Sequence, residues 1–275
     1  MTGHPSETLT AFQIEVARFF FSLPTSASFL LAGGAALLAQ GLTSRPTQDL
    51  DLFTRQTGDV AKARDAFESA AASRGWRVEQ VRQGDDFCRL VVHGPEDLIV
   101  DLALEAAPSM PATVSILGPT FAPDELAGRK LLALFDRAAA RDFADVFQLS
   151  ERYDQPTLFR LAHDLDAGVE PHALAGMIDY LARYADADIP IDGQQATDLR
   201  RFFAEWAATL RSHARRPGIT ERSASRSPST PLQRTPSPTR RTPAARPPLA
   251  GGRPTGRPRG QGGCPRCPPQ PDRRH

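Results

Sequence analysis

Cysteine and histidine are scarce in this sequence, and the few present do not form a metal-binding pattern. Cys264 and Cys267 make a single CPRC motif, without a second pair or a nearby histidine, and Cys88 stands alone. A zinc site needs more ligands than this at suitable spacing. The six histidines are scattered along the chain, so we expect no transition-metal centre.

Long hydrophobic runs are also missing. None of the apolar stretches approaches the roughly 20 residues that cross a bilayer. The N-terminal segment MTGHPSETLT lacks the charged and apolar regions of a secretory signal. We therefore expect a cytoplasmic protein without a membrane partner. With 275 residues, 40% of them apolar, the chain is long enough for one core domain and an accessory segment.

Acidic residues are almost absent from the last part of the chain. Residues 213–275 carry 14 arginines and 14 prolines but only two acids, Glu221 and Asp272, whereas the preceding body is acidic. With few apolar side chains to offset the entropy of ordering, this tail is predicted to be disordered. Two interpretations stay open, a basic arm that binds nucleic-acid phosphates and a low-complexity extension without such a role.

Apolar periodicity divides the rest of the chain into a mixed half and a helical half. Helices are predicted at residues 8–22 and 59–74, and strands at FLLA, QDLDLF, WRVEQVR, FCRLVVH and DLIVDLAL. Five helical segments follow from Pro123 onwards. We therefore predict an α+β fold with a β-sheet core and flanking helices, a helical C-terminal half and a disordered tail.

Three aspartates in the predicted strands point to a metal site. In QDLDLF, strict alternation places Asp49 and Asp51 on one face of a strand and two leucines on the other. Asp101 is the one carboxylate inside the apolar strand DLIVDLAL, where a charge is rare unless it is paired or binds metal. Carboxylate oxygens suit Mg²⁺, and two such ions can activate a hydroxyl and neutralise a leaving pyrophosphate. We predict Asp49 and Asp51 as ligands of two Mg²⁺ ions, and Asp101 as a ligand or the base.

A glycine pair and an arginine are candidates for phosphate binding. Gly33 and Gly34 stand between the strand FLLA and the helix-forming AALLAQ, where backbone N–H groups can face an anion without an intervening Cβ. We predict that they cradle the triphosphate of a nucleoside triphosphate. Arg45, in the RPT segment, is predicted to contact phosphate, and Thr47 to support the turn before the strand.

Taken in order, these segments resemble a known family. The motifs GGAALLAQ…RPTQDLDLF, LIVDLAL and ELAGRKLLALFDRAAARDFADVFQL look like those of the AbiEii/AbiGii toxins, within the nucleotidyltransferase superfamily of the polymerase-beta type. The resemblance covers roughly residues 10–190. It implies a nucleotidyltransferase-type mixed sheet, with a catalytic core at residues 1–118, a helical domain completing the active site at 119–212, and the tail at 213–275.

The resemblance also implies an activity and partners. Related toxins transfer a nucleotidyl group from a nucleoside triphosphate, with Mg²⁺, to the 3′ end of tRNA, and a cognate antitoxin controls them. By matching position, Asp49, Asp51 and Asp101 become the metal triad, and Gly33 and Gly34 the phosphate loop. The family commonly has Gly-Ser in this loop, so Gly34 removes a hydroxyl that would contact phosphate.

Three basic residues are predicted to neutralise the triphosphate. Lys130 lies in the family's lysine motif, and on one continuous helix Lys130, Arg137 and Arg141 would project within about 20° of one direction. If the helix breaks near AAAR, this alignment fails for Arg141. Asp142 and Asp145 have two open interpretations, as acids that begin the next helix or as carboxylates that tether Arg and Lys side chains in the site.

Three functions are therefore compared. The first is an Mg²⁺-dependent nucleotidyltransferase that modifies RNA such as tRNA, as the toxin of a toxin–antitoxin pair. The second keeps the enzyme class but uses a small molecule or a protein as acceptor. The third is an inactive relative that uses the fold as a binding module.

Overall fold

The structure, a computed structural model, describes residues 9–214. The predictions for the tail, including disorder, the basic arm and the CPRC motif, lie outside these residues. Within them the chain forms seven strands and eight α-helices, and the predicted α+β class is confirmed. The strands are β1 (Phe29–Ala32), β2 (Asp49–Thr54), β3 (Arg77–Gln83), β4 (Phe87–His93), β5 (Asp97–Leu104), β6 (Thr113–Val114) and β7 (Pro119–Thr120).

The helices lie before, between and after these strands. They are α1 (Ala11–Ser22), α2 (Gly33–Ala39), α3 (Asp59–Ala71), α4 (Pro123–Arg137), α5 (Ala140–Leu149), α6 (Gln155–Leu165), α7 (Pro171–Ile178) and α8 (Gly193–Ala214). None of these helices is both long and apolar enough to cross a bilayer. The short hairpin of β6 and β7 was not predicted, because two-residue strands contain too little alternation to be recognised.

The strands form one mixed sheet in the order β3-β4-β5-β2-β1-β7-β6. Strand β2 is central, antiparallel to β1 and parallel to β5. Leu50 and Leu52 of β2 are fully buried on one face, while Asp49 and Asp51 lie on the other, as the alternation predicted. The centre of the sheet therefore presents a polar face to whatever covers it.

Helices α1 and α3 supply much of the aromatic core of the first half. Helix α1 begins with a capping box, in which Thr10 and Gln13 satisfy each other's backbone N–H groups. Its Phe12 packs edge-on against Trp76, and its Phe20 packs against Phe29 of β1. This anchors α1 to the start of the sheet, directly before the glycine pair.

The helical half packs around its own aromatic cluster and contacts the sheet region through α4. Phe143 of α5 lies against Phe203 of α8, and Phe203 stacks on Trp206. Helix α4 contacts α2, α5, α6 and α7. The division into residues 1–118 and 119–212 stays a prediction.

A sharp break separates α4 from α5. Ala138 has a left-handed backbone conformation, with φ of 45°, and Tyr184 donates a hydrogen bond to its carbonyl oxygen. The single continuous helix that would align Lys130, Arg137 and Arg141 is therefore wrong for Arg141, which lies on α5. The break matters because it turns α5 and its acids towards α4.

Candidate active site

The two aspartates of β2 form the floor of a cavity, which we call the carboxylate floor (Asp49 and Asp51). Thr47 donates a hydrogen bond of 2.7 Å to Oδ1 of Asp49. Among the described residues the carboxylate of Asp51 has neither a hydrogen-bond partner nor an ion pair. Burial, and then the charges of Asp49 and Asp101, raise its pKa to about 6. Asp51 thus carries a buried carboxyl that forms no ion pair among the described residues.

The glycine pair makes room for this floor. Gly33 has φ of +63°, and a Cβ there would overlap Oδ2 of Asp51. A Cβ on Gly34 would lie 2.8 Å from Oγ1 of Thr47 and 3.2 Å from Nη2 of Arg45. Both glycines line the cavity. Arg45 and Thr47 therefore occupy the space into which a serine side chain at position 34 would extend.

Asp101 lies beside the floor but is engaged elsewhere. It is the register partner of Asp51, so the two side chains share one face of the sheet. Arg89 of β4, directly opposite, donates from Nε to Oδ1 at 2.8 Å and from Nη2 to Oδ2 at 2.6 Å. This hydrogen bond raises the pKa of Arg89. Arg89 was missed in the sequence, although the FCRLVVH alternation could have placed it on the Asp101 face.

Basic side chains from the helical half and from the segment before β2 line the same cavity. Arg129, Lys130 and Arg137 come from α4, Arg141 from α5 and Arg45 from the segment before β2. Lys130 is almost buried, whereas the side chains of Arg137 and Arg141 are 48% and 49% exposed. Arg141 approaches Oδ2 of Asp49 at 3.5 Å. The predicted cations thus lie together although they do not share one helix face.

Two fully buried aspartates of α5 connect three of these cations, Arg45, Lys130 and Arg137. Asp145 accepts hydrogen bonds from Arg45 at 2.7 and 3.0 Å and pairs with Lys130 at 3.0 Å. Asp142 accepts from Arg137 at 2.7 and 2.9 Å and lies 3.5 Å from Lys130. We call these five residues the buried charge network. Asp142 also lies in the first turn of α5, so it is both an acid at the beginning of a helix and a carboxylate that holds cations. Asp145 only holds cations.

The network sets the ionisation of Asp142. Burial by itself would raise the pKa of this carboxyl, but the hydrogen bond from Arg137 and the charge of Lys130 outweigh it, so the pKa is lowered. The carboxylate therefore stays charged and holds both cations. Arg137 and Lys130 are therefore held in fixed positions beside the cavity.

The cavity has a volume of about 300 Å³, at the lower end of the size of small-molecule sites. Carboxylates on its floor and cations on its wall suit a ligand that carries both a divalent cation and phosphates. The free oxygens of Asp51 and Oδ2 of Asp49 fit a hard cation such as Mg²⁺. Within residues 9–214, however, no group of three or more acidic, histidine or cysteine side chains is arranged to hold a metal ion.

Comparisons with solved structures find distant similarity. JHP933 from Helicobacter pylori is 18% identical, with a TM-score of 0.46 over 74% of this chain and 92% of that one. The nucleotidyltransferase toxin MenT4 from Mycobacterium tuberculosis H37Rv is 18% identical, with a TM-score of 0.48 over 75% of this chain and 96% of that one. No curated protein sequence matches the chain at a significant level.

A family model gives the decisive match. The model for the nucleotidyl transferase AbiEii toxin of type IV toxin–antitoxin systems matches residues 18–226, a range that contains the carboxylate floor, Asp101 and the buried charge network. The resemblance noted in the sequence motifs is thereby confirmed. The chain belongs to the AbiEii family of nucleotidyltransferase toxins.

Proposed function

We propose that this chain transfers a nucleotidyl group from a nucleoside triphosphate to RNA, with the 3′ end of tRNA as acceptor, in a reaction that depends on two Mg²⁺ ions. One observation carries the proposal: two carboxylates of one strand face share a single cavity with basic side chains of the opposing wall, which include Arg45, Lys130, Arg137 and Arg141. A nucleoside triphosphate with bound magnesium has the complementary charges. Family membership supports the nucleotidyltransferase class, and the cavity lining supports the choice of site residues.

The wall residues bind and orient the triphosphate in this proposal. Arg137 and Arg141 have half-exposed guanidinium groups that can reach phosphate oxygens, and charge placed in advance at such positions stabilises the transition state. Arg45 and Lys130 are held by Asp145 and contribute positive charge at fixed positions. Gly33 and Gly34 allow the phosphates to approach the backbone at the beginning of α2. Asp142 and Asp145 act by positioning the cations.

The floor residues hold the metal in this proposal. Asp49 and Asp51 provide oxygen ligands, and Asp101 provides a third carboxylate or acts as the base. Bound Mg²⁺ would activate the acceptor hydroxyl and neutralise the leaving pyrophosphate. The sheet region at residues 1–118 then serves as the catalytic core, and the helices at 119–212 complete the site with Lys130 and the buried charge network.

The acceptor and the antitoxin follow from the family more than from the cavity. Type IV toxin–antitoxin membership implies a cognate antitoxin, and a neighbouring gene for a small winged-helix protein would support this role. An RNA acceptor is the first choice, while a small molecule or a protein is the second. Among the described residues, no feature of the cavity favours a small-molecule or protein acceptor over RNA.

A transfer assay separates the candidates. The full chain is incubated with each labelled nucleoside triphosphate, Mg²⁺ and total tRNA, and a parallel sample contains a chelator. Label that moves to tRNA only with Mg²⁺ supports the proposal. Label on protein or on a small molecule supports the other acceptors, and no transfer in any sample contradicts an active enzyme.

The carboxylate floor is tested in the same assay. Asp51→Ala is expected to lower the transfer rate by about 100-fold or more, because a metal ligand contributes several kcal/mol to transition-state stabilisation. Asp97→Asn, which changes an exposed acid at the start of β5, is the matched control and should transfer normally. An unchanged rate in Asp51→Ala would remove this residue from the mechanism.

A further inference from the structure

Three charged side chains stand in one row across the sheet. Arg89 of β4 lies directly opposite Asp101 of β5, and Asp101 is in register with Asp51 of β2. Directly opposed residues of neighbouring strands point to the same face, and such strands are about 4.8 Å apart. Arg89 and the floor residue Asp51 therefore approach Asp101 from opposite sides.

The guanidinium of Arg89 uses both oxygens of Asp101. Its two donors bind at 2.8 and 2.6 Å in a fork geometry, which is the strongest and most directional arrangement for this pair of groups. The side chain of Asp101 is 7% exposed, whereas that of Arg89 is 44% exposed. Arg89 thus covers the outer side of a buried carboxylate.

This engagement distinguishes Asp101 from the two floor residues. Asp49 and Asp51 line the cavity, whereas neither Asp101 nor Arg89 does. The row nevertheless places Asp101 next to Asp51 on the same face, so rotation of its side chain away from Arg89 would turn an oxygen towards the floor. The obstacle is the ion pair, because a carboxylate bound at both oxygens has no preferred lone pair free for a cation.

Arg89 retains other interactions when it releases Asp101. Among the described residues no other carboxylate pairs with it. Its guanidinium already lies 6.0 Å from the ring centroid of Phe87, the preceding residue on the same face of β4, and Arg82 lies 5.2 Å from the same ring. An exposed arginine can keep such an aromatic contact and its hydration after losing one carboxylate partner.

We propose that Arg89 is a positioning residue that holds Asp101 out of the metal-binding set and releases it to a divalent cation bound at Asp49 and Asp51. This proposal rests on the proposed function, since it needs a cation at the floor. The ion pair and the cation compete for one carboxylate. Weakening the ion pair should therefore tighten cation binding, by at most the factor by which the pair is weakened.

The experiment measures Mn²⁺ binding to the full chain by calorimetry, without nucleoside triphosphate or RNA. Arg89→Gln removes the charge and the fork, and it is expected to tighten Mn²⁺ binding about tenfold, within the usual range of such couplings. Arg82→Gln is the matched control. Arg82 is the register partner of Arg89 on β3 and is exposed, so it reports the effect of removing a nearby charge without releasing Asp101. Less than a twofold change is expected for it.

A double mutant isolates the pair. In an Asp101→Asn background, Arg89→Gln should change Mn²⁺ affinity less than twofold, because no carboxylate remains to be released. If Arg89→Gln does not fold, Arg89→Lys keeps the charge but not the fork and should still tighten binding severalfold. Thermal unfolding of every variant shows that the folded protein is being compared.

The possible results lead to different conclusions. Equal effects of Arg89→Gln and Arg82→Gln, or a lower unfolding temperature of Arg89→Gln with unchanged Mn²⁺ affinity, would mean that the pair only stabilises the sheet. The positioning proposal would then be wrong, while the proposed function would stand. Wild-type protein without Asp51-dependent Mn²⁺ binding would overturn the positioning proposal, whereas the proposed function would be decided separately by the transfer assay.

Discussion

Two aspartates lie on the floor of the cavity and two more lie behind its wall, in opposite electrostatic settings. On the floor, Asp51 has no hydrogen-bond partner among the described residues, and its carboxyl has a raised pKa of about 6. On the wall, Asp142 and Asp145 are fully buried and each binds two cations. An acid that is buried and paired holds its neighbours in place, whereas an acid without a partner costs stability and is available to a ligand.

The largest effect is expected when the wall loses an acid. Asp145→Ala would leave Arg45 and Lys130 without their shared carboxylate in a site with little access to water. Breaking such a buried pair costs about 3–5 kcal/mol of unfolding free energy, which urea denaturation would measure. Asp164→Ala removes an exposed partner of Arg160, and this surface pair should be worth less than about 1 kcal/mol. Similar losses in both variants would contradict a structural role for the network.

The second prediction concerns the glycine that makes room for the floor. Gly33→Ala adds a Cβ that overlaps Asp51, whereas Gly58, also with positive φ, has open space around its Cβ position. Both substitutions strain the backbone by about 1–2 kcal/mol. Only Gly33→Ala should also displace Asp51, so we expect a further loss of stability and an impaired transfer rate. Equal stability and normal transfer in both variants would show that Asp51 can move without consequence.

Removing a charge from the floor should raise the unfolding free energy, whereas removing one from the wall should lower it. Asp51→Asn removes a carboxylate that repels Asp49 and Asp101 and has no bonded partner to lose. We therefore expect the unfolding free energy to rise by about 1 kcal/mol, less than the full repulsion because solvent reaches the site. Urea denaturation in the absence of divalent ions measures it. A loss of stability comparable with that of Asp145→Ala would erase the distinction between floor and wall.

The smallest effect is the contribution of Asp142 to acid stability. Its pKa is lowered in the folded state by Arg137 and Lys130, so the folded protein binds this proton less readily than the unfolded chain. The resulting stabilisation is present above the unfolded pKa of about 4 and is lost as pH falls below it. The stability difference between wild type and Asp142→Asn, measured by urea denaturation, should therefore shrink as the pH falls from about 5 through the lowered pKa of Asp142. A difference independent of pH would show that the carboxylate is not charged in the fold.

Local sequence patterns were sufficient for most of the elements. The alternation in QDLDLF correctly placed Asp49 and Asp51 opposite the buried Leu50 and Leu52, and the helix predicted to stop near Gly75 ends in a turn capped by that residue. These features depend on neighbouring residues only, because side-chain alternation and glycine caps are properties of the local backbone.

The pairing of charges could not be predicted in the same way. Arg45 meets Asp145 across 100 positions of sequence, and the direction in which α5 presents that acid depends on the left-handed break at Ala138. Arg89 and Asp101 are closer in sequence, but their meeting depends on the strand order β4-β5-β2. This order places the Asp101 carboxylate between Arg89 and the floor.

The chain's own order of residues was therefore enough to establish five of the seven described strands, the shared face of Asp49 and Asp51, and the family, because each depends on short stretches of sequence. Tertiary packing alone selected the partner of every other charged group in the site. The energy of a charge depends on what lies within a few ångströms of it in space, and that neighbourhood is assembled from segments that are far apart along the chain.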